Sequence, residues 1–135
     1  MRTLAGIDSD KDGTRDDVQR FIAETWPQSE RARKALTLLA QSFQAEILMA
    51  DTATSEEARA YGQDVTAKLV GCLASVDDAI VQERALERVT IKVTNTPDRY
   101  AKSEKFNKLL HGSGFVLDKS PVAEQCGYDP TKLTD

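Results

Sequence analysis

The sequence predicts an all-α protein: an antiparallel bundle of about four longer helices, preceded by an acidic loop and one short helix and followed by an irregular C-terminal tail. Three observations carry this reading. Apolar residues recur at three- and four-residue spacing through most of the chain. Ser, Thr, Asp and Pro stand where those runs begin. Only Val89 to Val93 alternates like a strand, and no second convincing strand is there to pair with it. The 135 residues suit one domain, able to bury about two thirds of its unfolded surface. Residues 8–19 read as the loop, 16–111 as the bundle and 112–135 as the tail.

Residues 1–7 are too short for an element that matters. Val18, Phe21 and Ile22 begin the apolar period and predict a short helix over 16–25, ended by Pro27. Trp26 is expected to plug the hinge that follows. The strongest helix spans 29–50, with Leu36, Leu39, Phe43 and Ile47 inward and Ala35, Ala40 and Leu48 beside them. Ser55, followed by Glu56 and Glu57, is the expected N-cap of a helix running to 76. Its stripe is Ala58, Tyr61, Val65, Leu69, Cys72 or Leu73, and Val76. Gly62 and Gly71 cost that helix about 1 kcal/mol each unless they permit a close helix contact. Asp77 and Asp78 cap a further helix with Ile80, Val81, Ala85, Leu86 and Val89 inward. Thr96 and Pro97 are the N-cap and first residue of the last helix, which carries Tyr100, Phe106, Leu109 and Leu110. His111, Gly112, Ser113 and Gly114 stop it.

Composition excludes several classes. A net charge of −4, from 18 basic and 22 acidic residues, argues against a nucleic-acid binder. No apolar run approaches the roughly 18–20 residues of a membrane span. The start, MRTLAGIDSD, has no stretch apolar enough for a secretory signal. Cys72 and Cys126 belong to no CxxC cluster, so a zinc site is not expected. Either they pair in an oxidising compartment or they are two reduced thiols; pairing is preferred, because a Pro- and Gly-punctuated tail gains from a tether. The bridge would close a loop of about 54 residues, adding about 4 kcal/mol in the chain-entropy model. A periplasmic or secreted mature form is the expectation, and a cytoplasmic protein the alternative.

The chemically specific segment is Asp8-Ser9-Asp10-Lys11-Asp12-Gly13-Thr14-Arg15-Asp16-Asp17-Val18-Gln19. A hard dication takes six to eight oxygens at about 2.3–2.6 Å, and alternate side chains of a curled loop can supply them. The five carboxylates within ten residues repel one another unless a cation sits among them, and Lys11 and Arg15 offset only part of that charge. The run resembles the EF-hand calcium loop, D-x-D-x-D-G-x-x-D, as a solitary loop of the kind found in dockerins, thrombospondin type 3 repeats and many exported bacterial proteins. The resemblance covers about a tenth of the chain. It implies Asp8, Asp10 and Asp12 as the first three ligands, a sharp turn at Gly13, the Thr14 backbone carbonyl, and Asp16 directly or through water. Gln19 stands where the family has a bidentate Glu, so Asp17 or water is expected to complete the shell. Position eight is Arg15, where paired EF-hands place an aliphatic residue, and no entering helix is expected before Asp8. One Ca²⁺ is therefore expected, bound weakly at about 10⁻⁴–10⁻³ M and structural in role. The alternative is an acidic turn before an N-capped helix.

Other features carry less. The sole histidine, His111, reads as a helix-end residue. Glu56 and Glu57, Asp77 and Asp78, and Glu83 and Glu87 read as helix starts or a solvated face. No GxGxxG, P-loop, HExxH or GxSxG is present. The locally basic stretch with Arg99, Lys102, Lys105 and Lys108 is a candidate docking face for an acidic partner. The expected function is non-catalytic binding of another protein. An inhibitor or immunity protein against a toxin or hydrolase is one alternative, and an enzyme with an unrecognised site is another.

Overall fold

The computed structural model describes residues 4–76, 84–112 and 122–133. They form seven α-helices, two of them joined in one rod, and no strand. α1 is Asp16–Thr25 and α2 is Glu30–Met49. α3, Ser55–Tyr61, continues through a π-helical turn, Gly62–Thr66, into α4, Ala67–Val76, as one rod. α5 is Ala85–Val93, α6 is Pro97–Leu109 and α7 is Val122–Cys126; a 3₁₀ turn, Pro130–Lys132, follows. The expected cap at Asp77 and Asp78, the inward Ile80 and Val81, and the stop at Ser113 and Gly114 lie outside the described residues.

Several boundaries follow from local chemistry. Ser29 accepts a hydrogen bond from the Ala32 amide and caps α2, and Thr96 accepts from the Arg99 amide, the cap expected for α6. The α3 cap is Thr54 rather than Ser55. Thr54 and Glu57 close a reciprocal capping box, whose spacing places Ser55 inside the first turn. Val89 to Val93 is helical, as the lack of a pairing strand requires. The tail, expected to be irregular, holds α7 and the 3₁₀ turn. The physical reason is the Cys72–Cys126 disulfide, which seats α7 against α4. Gly71 permits that approach: a Cβ there would come within 2.6 Å of the Gln125 side chain.

α2 is the central helix and packs against α1, α4, α5 and α6. The main core gathers Val18, Ile22, Leu36, Leu39, Ile47 and Val89, with Cys72 and Leu73 from α4. Trp26 is buried in it, edge-on to Phe21 at 5.9 Å between ring centres. A second, smaller cluster of Ala50, Ala58 and Phe106 sits where α2, α3 and α6 meet. Two expected core residues face solvent instead, Leu48 at 51% and Tyr100 at 58% exposure, because α2 and α6 turn other faces to their neighbours. The N-terminal segment, too short for an element, is tied in: the Gln44 side chain donates to the Leu4 carbonyl at 3.0 Å.

Candidate metal centre

The acidic loop runs from the N-terminal segment into the first turn of α1. Its curl needs two left-handed residues, Lys11 at φ 57° and Gly13 at φ 89°. Ile7 holds the base of the curl by accepting the Asp16 amide at 2.7 Å, which satisfies the first free N–H of α1. The Asp8 carboxylate then accepts the Gly13 amide at 2.9 Å and the Asp12 amide at 3.3 Å.

These contacts bring Asp8, Asp10 and Asp16 together. One carboxylate oxygen of each lies within 4.8 Å of the others, close to the protein surface. Asp16 also accepts from the Ser9 hydroxyl at 2.5 Å and the Ser9 amide at 2.9 Å, which hold its carboxyl below the usual range. At Asp10, local desolvation opposes ionisation, but hydrogen bonds with Asp8, Asp12 and Gln19 prevail and hold it low. The Gln19 side chain, one turn into α1, is hydrogen-bonded to Asp10. Desolvation pushes the Asp12 carboxyl up, and the charges of Asp10 and Asp8 add to that. The carboxylate of Asp12 turns onto the Thr14 amide at 2.8 Å. Thr14 itself is buried, its hydroxyl without a hydrogen-bond partner.

Asp17 is not brought to the cluster. Its carboxylate is paired with Arg15 at 3.0 Å and accepts from Asn95 at 3.4 Å. Burial opposes its ionisation, yet the Arg15 guanidinium holds it low. Arg15, read from sequence as a partial charge offset, is 2% exposed. Its guanidinium donates to the Val93 carbonyl at 2.8 Å and the Lys92 carbonyl at 2.9 Å, the open end of α5. No spacing rule signals this, since the acceptors lie far along the chain.

The basic stretch divides. Arg99 is buried and donates to Asn95 at 2.7 Å. Lys102 and Lys105 both grip Asp51, at 2.7 and 2.6 Å, and hold its carboxyl down at about 2. Lys108 is exposed. His111 is exposed, and its backbone carbonyl accepts from Arg59 at 3.1 Å. Among the described residues no helix is long and apolar enough to cross a membrane. Set beside known protein families, curated proteins and solved structures, the chain finds no match.

Proposed function

We propose that this chain is an exported, calcium-binding helical protein that works by binding another protein, with the ion fastening the N-terminal loop to the bundle. The observation that supports it is the convergence of Asp8, Asp10 and Asp16 within 4.8 Å. Two oxygens on opposite sides of a calcium ion stand about 4.6–5.2 Å apart, twice the usual Ca–O distance, so three oxygens at this spacing fit around one ion. An all-oxygen, carboxylate-rich donor set suits a hard cation and not zinc or copper. Asp12, the Thr14 carbonyl, Gln19 and water are the proposed remainder of the shell.

The proposed role of the ion is structural. Asp16 is both a ligand and the first residue of α1, so holding it fixes the turn that carries Val18 and Ile22 into the core. The Cys72–Cys126 disulfide supports an oxidising compartment, where a weak site can fill. Non-catalytic action is supported by the position of the sole histidine, exposed at a helix end.

The test is thermal unfolding in millimolar calcium, in magnesium and in chelator. Calcium at about ten times its dissociation constant stabilises the fold by about 1.4 kcal/mol, and magnesium by less. An unchanged melting temperature in millimolar calcium rejects the reading.

A further inference from the structure

A cavity of about 600 Å³ opens among α2, α4, α5 and α6, lined by no residue of the acidic loop among those described. It lies at the seam of the two apolar clusters: Phe43 packs on the first, while Phe106 and Leu110 belong to the second. Ala67, Val70 and Ala74 form the α4 wall. This volume is that of a small-molecule site. Both ends of the π turn, Gly62 and Thr66, line it. Such turns insert one residue into a helix and are frequent at functional sites.

Glu46 is the only ionisable side chain among the described lining residues. Thr66 Oγ1 donates to Glu46 Oε1 at 3.2 Å and shares a 2.5 Å hydrogen bond with Ser42 Oγ. Since the Thr66 proton goes to Glu46, Ser42 is the donor in that second bond. The Tyr61 hydroxyl is bonded to Ser42 in turn, so a chain of hydroxyls ends on the carboxyl. Among the described residues no lysine or arginine reaches Glu46. Burial lifts its carboxyl to about 7, against the pull of the Thr66 hydrogen bond.

We propose that this cavity binds a small amphipathic amine, with its apolar body against the Phe43, Val70 and Phe106 walls and its ammonium paired with the Glu46 carboxylate. Charge complementarity selects this class. A neutral apolar molecule leaves a desolvated carboxylate without a counter-charge, and an organic acid sets a second anion beside it. An amine supplies the counter-charge and further hydrogen-bond donors beside that of Thr66. The site shares no residue with the acidic loop, so its fate is independent of the calcium reading.

The test is calorimetric titration of the full chain at about pH 8 with decylamine, decanol and decanoate, three probes with one chain length and different heads; the amine is fully charged there. Decylamine is expected to bind with one molecule per chain and roughly tenfold tighter than decanol, the gain of a charge-assisted over a neutral hydrogen bond. Glu46→Gln brings decylamine down to the decanol affinity and leaves decanol unchanged. Ala74→Phe, at a solvent-facing position on the cavity wall, weakens both by about tenfold or more while the variant still unfolds cooperatively. Equal affinity for amine and alcohol overturns the proposal. So does an amine preference that survives Glu46→Gln, a preference for decanoate, binding indifferent to Ala74→Phe, or no saturable binding at all.

Discussion

The Arg15 guanidinium donates to the Val93 carbonyl at 2.8 Å, joining residues 78 apart in sequence. It spans from the acidic loop to the C-terminal end of α5 and also pairs with Asp17, so the loop is anchored to the bundle on its inner side. Gly6 packs on this arginine, where a Cβ would come within 2.7 Å of the Arg15 stem. Arg15→Met keeps the stem and strips the charge, taking the guanidinium from the Asp17 carboxylate and from two helix-end carbonyls. The expected loss is about 3 kcal/mol in urea unfolding. A loss below about 1 kcal/mol shows the contact to be dispensable.

Gln19 reaches Asp10 but brings no charge to the cluster. Gln19→Glu supplies the carboxylate that calcium loops of this type carry there. Calcium affinity is expected to rise by about tenfold or more, read by titration against a calibrated chelator. Without calcium the same variant melts below the parent, because another anion joins Asp8, Asp10 and Asp16. Equal calcium affinities in parent and variant show that the shell does not include this position.

The Cys72–Cys126 disulfide closes a separation of 54 residues. Replacing both cysteines by serine is expected to lower stability by about 4 kcal/mol in the chain-entropy model. The helix Val122–Cys126 then becomes the first site of cleavage in limited proteolysis, since five residues hold no helix without their packing. Matching urea midpoints for parent and double variant contradict this.

Glu46 gives stability a defined pH dependence. Its carboxyl titrates at about 7 in the folded chain against an ordinary 4.5, so the native state holds the proton more tightly than the unfolded state. The native state is therefore unpenalised below about 4.5. Its stability falls as pH rises through about 7, with a ceiling of about 3 kcal/mol. Glu46→Gln removes that slope. The difference between parent and variant, measured by urea unfolding at pH 5 and at pH 8, isolates it; a difference that does not change with pH places the Glu46 carboxyl in water.

Much of the fold is legible in the chain because its signals are local. α1 spans the expected 16–25, and α2 lies within the expected 29–50, its cap at Ser29. Thr96 and Pro97 start α6 by the same short-range chemistry. The acidic cluster is legible too, because Asp8, Asp10 and Asp16 stand within nine residues and a curl of the backbone suffices to gather them. The displaced cap at Thr54 shows the limit of such reading: two adjacent hydroxyl residues compete, and the position of Glu57 decides between them.

By itself, then, the sequence determined the longer helices, the cap at Thr96 and the clustered aspartates, all of which depend on neighbours within one or two turns. Only the tertiary structure decided which charges are used internally. Arg15 and Arg99 turn inward, Lys102 and Lys105 close on Asp51, and Asp17 leaves the loop for Arg15. It also decided that a π turn sets Thr66 against Glu46 and opens a cavity beside them. The physical reason is that a charged side chain is valued by its partner and its solvent exposure, and both are set by segments far away along the chain.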